Sequence, residues 1–167
     1  MESIRSILKA HPFFQEFPPP VVQRLVKFAT TVRFTPGQKI FTVGENADAF
    51  YLICQGLVAV EVEIPNYGKV ALQKIRDGEI LGWSWLFPPH RWHFDARALE
   101  ETEAVVLDAR TLRTHIEVDH ELGYHLVKRI ARVMEERLRA AREKLVEFSR
   151  LFPAPDDSRP EWLRLFD

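Results

Sequence analysis

The stretch PGQKIFTVGENADAFYLICQGLVAVEVE, residues 36–63, decides the fold class of the chain. It alternates short runs rich in Val, Ile, Phe and Tyr with turns that contain glycine, a pattern typical of antiparallel β-strands. The pattern extends in both directions and predicts strands at roughly 31–34, 39–43, 49–54, 57–64, 69–75, 92–99 and 102–108. Because no helical stretch separates these runs, we predict an antiparallel sandwich or barrel rather than βαβ units.

Helical periodicity flanks the strands on both sides. Two short helices are predicted before Thr31, and three prolines at 18–20 suit the first turn of the second one. Past Arg110 we predict a short helix at 111–116 and a long helix at 120–150, with Asp119 as its N-cap. Gly123 lies within the long helix, where glycine costs about 1 kcal/mol relative to alanine.

Composition limits the class of protein. The chain has 167 residues, 46% hydrophobic and 28% charged, which predicts one globular domain. A formal net charge of −1 provides no general attraction to nucleic acid. We see no signal sequence and no apolar run of about 18 residues, so we expect a cytoplasmic protein without a membrane partner. The single cysteine, Cys54, is expected to be a small buried side chain without an intramolecular disulfide.

The long helix carries an apolar stripe with nearly heptad spacing. A helix of this length extends roughly 45 Å, more than a small sandwich can cover. We therefore predict a homodimer in which two copies pair along this stripe; the alternative is that the helix folds over its own sandwich. The predicted interface residues are Val127, Ile130, Met134, Leu138, Ala141, Leu145 and Phe148.

The glycines and apolar positions of residues 36–63 resemble the cyclic-nucleotide-binding domain of the cyclic-AMP receptor and FNR group of bacterial regulators. Turn glycines match at Gly37, Gly44 and Gly56, and core positions match at Phe41, Ala47, Phe50, Tyr51, Leu52 and Ile53. The resemblance covers about residues 10–150 and implies a mainly β fold: an eight-stranded jelly roll, or double-stranded β-helix, with flanking helices and a long C-terminal dimerisation helix.

The domain boundaries follow from the strand pattern and the resemblance together. One domain is expected at 1–150, composed of N-terminal helices (1–30), the jelly roll (31–109) and C-terminal helices (111–150). A proline-rich tail at 151–167 follows, and whether it docks on a partner is open.

The resemblance assigns a role to GEILGWSWLFPPHRWHFDARALE, residues 78–100. In the family this segment is a phosphate-binding cassette. A short helix begins at a Gly-Glu pair, backbone N–H groups and a later arginine hold the cyclic phosphate, and the glutamate binds the ribose 2′-hydroxyl. Here Gly82 matches the glycine, but Trp83 replaces the glutamate, and Trp92 and His93 replace the arginine and the Ser/Thr that follows it. Arg91 lies one residue before the arginine position, and a one-residue gap in the alignment would give it the arginine's role.

These departures argue against ordinary cyclic AMP as the ligand. An indole cannot accept a hydrogen bond from the ribose, and an unpaired polar group in a closed pocket costs about 1–3 kcal/mol. One interpretation is a sensor for a different anionic or aromatic ligand, such as haem, an aromatic acid or another nucleotide, with Trp83 and Trp92 as stacking walls and Arg91 as anion anchor. The predicted ligand-binding residues are Leu81, Gly82, Trp83, Ser84, Trp85, Arg91, Trp92, His93 and Arg137. The other interpretation is a protein-interaction module whose former pocket is plugged by tryptophans.

Catalysis, metal binding and direct DNA binding are not expected. His90 and His93 are three residues apart but lack the further histidine and glutamate spacing of a cupin metal site. No GxSxG, P-loop, HExxH or CxxC motif occurs. About seventeen residues follow Arg150, fewer than a recognition helix with its support needs. We therefore expect a regulatory domain that binds a small ligand or a protein partner.

Overall fold

The computed structural model describes residues 3–66 and 68–151, with side chains up to residue 147. The chain divides into two compact units, one up to Leu126 and the other from Val127 onward. The first unit contains all the strands of the described residues and the candidate site.

Eight strands within the described residues form two four-stranded antiparallel sheets. The sheet orders are β1-β8-β3-β6 and β2-β7-β4-β5, so strands distant in sequence are neighbours in each sheet. This arrangement confirms the predicted jelly-roll class. The strands are β1 Ala29–Phe34, β2 Lys39–Phe41, β3 Ala49–Gln55, β4 Val58–Ile64, β5 Gly68–Ile75, β6 Ile80–Leu81, β7 Asp95–Ala98 and β8 Thr102–Asp108.

Helices flank the strands, as expected. They are α1 Ile4–Ala10, α2 Pro19–Leu25, α3 Ala109–Val118 and α4 His120–Leu151, with short 3₁₀ turns at Pro12–Phe14 and Val26–Phe28. α3 begins earlier than predicted because Asp108 caps it, accepting from the Thr111 N–H at 2.7 Å. Asp119 accepts from the Leu122 N–H at 3.1 Å, which confirms the cap predicted for α4.

The hydrophobic core lies between the two sheets and beneath the N-terminal segment. Phe50, Leu52, Ile53, Val105 and Leu107 on β3 and β8 are fully buried. An aromatic cluster of Phe13, Phe14 and Phe17 extends this core, and the Phe13 and Phe50 ring centroids are 5.6 Å apart. These contacts fix β3, which carries part of the candidate site.

Several local predictions need correction. The strand expected at 92–99 is limited to Asp95–Ala98, because residues 90–92 hydrogen-bond to the loop after β2 instead. β6 was not predicted, since two residues are too few to show an alternating pattern. Cys54 is partly exposed rather than buried. The helix expected to stop at 150 continues through Leu151, and residues 152–167 of the predicted tail lie outside the described residues.

The predicted dimer stripe is not uniform in α4. Four of its side chains are exposed: Val127, Leu138, Ala141 and Leu145. By contrast, Ile130 is buried and Met134 is half-buried. The Phe148 side chain lies outside those described. The stripe therefore remains a predicted interface. Among the described residues, no helix is both long enough and apolar enough to cross a membrane.

Candidate functional site

The cassette loop, residues 82–93, connects β6 to β7 and has no helix, although the resemblance implies one beginning at Gly82. Two successive turns replace it. The Leu86 N–H donates to the Trp83 carbonyl at 3.0 Å, and the His90 N–H donates to the Phe87 carbonyl at 2.9 Å. A single turn at Trp83–Leu86 thus stands where a helix N-terminus was expected, and it aligns fewer peptide dipoles toward an anion.

Gly82 adopts a left-handed conformation with φ of 81°. A Cβ atom built at this position would lie 2.5 Å from Cζ3 of Trp92 and 2.9 Å from its Cη2. Both the backbone angle and the space therefore require glycine. The Trp92 ring lies directly against the Gly82 backbone, where the resemblance expects a phosphate group.

The Trp92 side chain fills the space between the two sheets. Its ring is stacked on Phe41 of β2, with centroids 3.8 Å apart and planes 10° apart. Tyr51 of β3, in the other sheet, lies 6.5 Å away. Only 4% of Trp92 is exposed, so in this arrangement neither indole face is open to a ligand. Its role as a stacking wall remains a prediction that would require the ring to move.

Backbone hydrogen bonds join the cassette loop to the loop after β2. The Gly44 N–H donates to the Trp92 carbonyl at 2.8 Å, and the Trp92 N–H donates to the Glu45 carbonyl at 3.0 Å. The Ala47 N–H donates to the His90 carbonyl at 2.8 Å. The exposed Arg91 side chain adds a bond from Nη1 to the Gly44 carbonyl at 2.7 Å. The predicted anion anchor is thus part of the fastening between the two loops.

The other predicted ligand residues differ in exposure. Leu81 and Trp85 are fully buried, and the Trp85 ring packs 5.3 Å from Phe50. Ser84 is buried as well, whereas Trp83 is half-buried and His93 is exposed. Trp83, at the glutamate position, therefore has accessible surface, while Trp85 belongs to the core.

Two polar atoms of the cassette loop are buried without a hydrogen-bond partner among the described residues: Trp85 Nε1 and His90 Nδ1. An unsatisfied buried donor or acceptor costs about 1–3 kcal/mol. His90 also has a left-handed backbone, with φ of 54°, which is uncommon for a residue with a side chain. The loop thus holds strained and unsatisfied groups next to its aromatic core.

Arg113 on α3 contacts the cassette loop, and sequence reasoning missed it. Its Nη1 donates to the carbonyls of Trp85 and Ala47 at 3.0 and 3.1 Å, and its Nη2 to Oδ1 of Asp48 at 3.4 Å. No motif marks an arginine on a short amphipathic helix as a partner of a distant loop. Arg137, the predicted ligand residue on α4, lies in the second unit, and its role stays a prediction.

The family assignment rests on the sequence over residues 31–119, which matches the family described as the cyclic nucleotide-binding domain. This match covers more than half of the 167 residues. The chain belongs to the cyclic nucleotide-binding domain family.

Solved structures share the fold of this cyclic nucleotide-binding domain. A cyclic nucleotide-binding domain from Methylobacillus flagellatus is 22% identical with a TM-score of 0.73, over 87% of this chain and 82% of that one. The catabolite activator protein of Thermus thermophilus is 24% identical with a TM-score of 0.64, over 83% of this chain and 63% of that one. The sensor domain of the transcriptional regulator DNR from Pseudomonas aeruginosa is 18% identical with a TM-score of 0.64, over 81% and 91%. A comparison with curated proteins gave no match.

An ion-pair cluster fixes the strand that leaves the cassette of this cyclic nucleotide-binding domain. Asp95 at the start of β7 accepts from Lys69 Nζ at 2.6 Å and from the Val43 N–H at 2.8 Å, and Lys39 Nζ lies 3.9 Å away. The hydrogen bond from Lys69, followed by that from Val43, lowers the pKa of Asp95 below its usual range. Asp95, two residues after the end of the cassette loop, thus holds the β2–β3 loop against β7.

No group of three His, Cys, Asp or Glu side chains in the described part of the chain is arranged to hold a metal ion. The arrangement at the cassette consists of stacked aromatic rings and backbone hydrogen bonds. These contacts pack the cassette loop against the sheets and join it to the loop after β2.

Proposed function

We propose that this chain is a non-enzymatic regulatory domain that acts through protein contacts and has the phosphate position of its cassette filled by Trp92. One observation carries the proposal: the Trp92 ring is stacked on Phe41 at 3.8 Å and lies against Gly82. The resemblance places an arginine that holds the cyclic phosphate at this position. The indole is both the replacement for that arginine and the group that fills its space.

Ligand entry would have to displace this ring, which lowers the affinity for cyclic nucleotides. Stacked aromatic pairs contribute about 0.5–1.5 kcal/mol beyond the effect of their buried area. The buried area of a tryptophan adds to that, and each 1.4 kcal/mol is about a tenfold loss in apparent affinity. Trp83 reduces affinity further, because an indole gives the ribose hydroxyl no acceptor.

The hydrogen bonds around the cassette support a closed loop that does not depend on a ligand. Three backbone bonds and the Arg91 side chain fasten residues 90–92 to residues 44–47. Arg113 fastens the turn at Trp85 from the other side. A loop held by these bonds presents a fixed surface, including the exposed Phe87, to another protein.

A second candidate function is a sensor for a ligand other than cyclic AMP. It is favoured by the buried Trp85 Nε1 and His90 Nδ1, which have no hydrogen-bond partner among the described residues. A polar ligand that reached these atoms would recover about 1–3 kcal/mol for each. Mass spectrometry of small molecules released from the purified protein tests this candidate. A stoichiometric compound supports the sensor, and its absence together with no response to haem or aromatic acids contradicts it.

Isothermal titration calorimetry with cyclic AMP and cyclic GMP tests the primary proposal. We expect no saturable heat from the wild type below about millimolar ligand, because both the ring displacement and the lost acceptor weaken binding. The double variant Trp83→Glu/Trp92→Arg restores the pattern that the resemblance implies, and it is expected to bind more tightly than the wild type.

One control tests whether Arg91, rather than a residue at position 92, holds the phosphate. Micromolar binding by the wild type that is lost in Arg91→Ala would mean that Arg91 is the phosphate anchor, and the proposal would be wrong. Phe87→Glu adds a carboxylate to the same loop at an exposed position and is expected to leave the titration unchanged. Circular dichroism establishes that each variant is folded. If a variant does not fold, the wild-type titration alone still tests the proposal.

A further inference from the structure

We propose that an open groove between α1 and the sheet β1-β8-β3-β6 is a binding site separate from the cassette, and that it takes a small organic cation with an apolar body, such as an alkylammonium ion. The groove has a volume of about 1060 Å³, which is the upper end of the size of small-molecule sites. None of the described residues that line it belongs to the cassette loop. The inference therefore goes beyond the proposed function and does not depend on it.

The groove lies on the outer face of this sheet. Alternate side chains of a strand point to opposite faces. Phe34 of β1 points into the space between the sheets, where its ring centroid is 6.1 Å from that of Tyr51. The neighbouring Arg33 therefore points to the outer face, where it lines the groove together with its cross-strand partner Glu103. Trp92 and the groove are thus on opposite sides of the sheet.

α1 forms an apolar wall of the groove. Ile4 and Ile7 line the groove and are half-buried, so part of each side chain is open to a ligand. They are three residues apart and lie on the same face of the helix. From Ile4 to Ala10, which also lines the groove, the helix rises about 9 Å. The wall therefore fits an alkyl chain or ring body of about that length.

One end of the groove is fixed by hydrogen bonds to a single acceptor on β3. The Ile53 carbonyl accepts from Nε2 of His11 at 3.1 Å and from the Gly78 N–H at 2.8 Å. A Cβ on Gly78 would lie 2.8 Å from Cγ of Pro12, so the turn before β6 packs closely against the residues that follow α1. Cys54, next to Ile53, lines the groove here. This end is preorganised, which reduces the entropic cost of binding.

The charges of the lining favour a cation. The Arg33 guanidinium is paired with the Glu103 carboxylate at 2.7 Å. Asp77 also lines the groove, and its Oδ1 accepts from the Gly56 N–H at 2.8 Å. Among the described residues, the Asp77 carboxylate has no ion-pair partner, so one negative charge of the lining is left for a ligand. An ammonium group at Asp77, with its apolar body along α1, complements both parts of the groove.

Protection of Cys54 from alkylation tests the site. The chain has a single cysteine, so the label reports on this groove alone. The probes are heptylamine, heptanol and heptanoate, added to the full chain at pH 7.5, where the amine is protonated. Iodoacetamide is a small neutral reagent, and intact mass spectrometry measures its rate of addition. Heptylamine at about ten times its Kd is expected to slow the reaction about tenfold, because the occupied fraction does not react. Heptanol should protect more weakly, and heptanoate less than about twofold at the same concentration.

Asp77→Asn tests the charge and has a matched control. It keeps an oxygen for the Gly56 N–H but removes the negative charge, so we expect the Kd of heptylamine to rise about twofold to fivefold toward that of heptanol. Glu79→Gln is the control. Glu79 lies in the same turn and likewise accepts from a main-chain N–H, that of Arg76 at 2.7 Å, but it does not line the groove. Its substitution should leave the Kd unchanged.

Ile7→Ser tests the apolar wall, and it is expected to raise the Kd of heptylamine and heptanol alike by roughly tenfold. Reaction of Cys54 at the same rate with and without all three probes would overturn the site. Equal protection by heptanoate and heptylamine, or equal effects of Asp77→Asn and Glu79→Gln, would overturn its preference for a cation. If a variant does not fold, the three probes on the wild type still test this preference.

The groove and the proposed function fail in different measurements. Tight binding of cyclic AMP by the wild type would contradict the proposed function and leave the groove unaffected, since the two sites lie on opposite sides of one sheet. An unprotected Cys54 would contradict the groove and leave the filled cassette as it is.

Discussion

At the scale of single residues, Trp92 is held by a stacked phenylalanine, a glycine that leaves room for its ring and two backbone hydrogen bonds. Trp92→Ala would remove a side chain that is 4% exposed and leave a cavity between the sheets. We expect a loss of about 3–5 kcal/mol in the free energy of unfolding, measured in urea. Phe87→Ala, at a 47% exposed site in the same loop, is expected to cost less than about 1 kcal/mol. Similar losses in the two variants would contradict the filled-cassette geometry.

His11 gives a prediction about pH. It is 4% exposed; its Nδ1 accepts from the Phe13 N–H at 3.2 Å, which assigns the proton to Nε2, 3.1 Å from the Ile53 carbonyl. Burial lowers the pKa of His11 below its ordinary value of 6.5, and the Ile53 hydrogen bond only partly offsets this. The unfolded chain therefore binds a proton that the folded chain does not. Stability should fall as the pH drops below about 6.5 toward the folded pKa.

Urea unfolding at pH 7.5 and pH 5.5 checks this expectation. The wild type should lose stability at the lower pH, whereas His11→Gln, which cannot be protonated there, should be less stable at pH 7.5 but lose less on acidification. His93→Ala removes an exposed histidine and should behave as the wild type does. An equal loss in the wild type and His11→Gln would show that another group is responsible.

At this scale the sequence identified the unusual residues but not their contacts. The replacement of the glutamate and arginine by Trp83 and Trp92 is visible in the motif itself. The stacking of Trp92 on Phe41 depends on which strands lie opposite each other, and no local pattern encodes that. Arg113 was missed for the same reason, because its acceptor in the cassette loop is the main-chain carbonyl of Trp85, which has no side-chain signature.

At the scale of secondary-structure elements, the α3–α4 corner gives a prediction opposite to that of helix propensity. Gly123→Ala would ordinarily stabilise a helix by about 1 kcal/mol. Here the new Cβ would lie 2.9 Å from the Ile116 carbonyl, so we expect a loss of roughly 1–3 kcal/mol. Thermal unfolding measures the change. Ala131→Gly, at an exposed position of α4, is the converse control and should lose about 1 kcal/mol through propensity alone.

A rise in stability for Gly123→Ala would show that the two helices do not approach as closely as described. The sequence presented Gly123 only as a tolerated cost, since a close contact between two helices leaves no local trace. By contrast, most strands and α4 could be predicted, because their apolar periodicity runs over enough residues to be seen. β6 is too short for such a pattern, and the cassette lacks its expected helix.

At the scale of the whole molecule, the exposed apolar residues of α4 bear on assembly. Leu138 and Leu145 are 72% and 68% exposed, and they belong to the predicted dimer stripe. If two copies pair there, Leu138→Glu should raise the dimer dissociation constant about 10–100-fold, because burying a leucine contributes about 1.5–3 kcal/mol. Arg139→Glu, on the neighbouring charged face, should have a smaller effect. Sedimentation equilibrium measures both.

A wild type that stays monomeric at high micromolar concentration would contradict the predicted dimer. It would leave the cassette account unchanged, since the contacts of Trp92 all lie within the unit that ends at Leu126.

A crystal structure of the protein grown with several millimolar cyclic AMP tests the account most directly. We predict that the Trp92 ring stays stacked on Phe41, with centroids near the present 3.8 Å, and that no nucleotide lies against Gly82. A cyclic nucleotide with its phosphate on the amides after Gly82, and Trp92 rotated out from between the sheets, would contradict it.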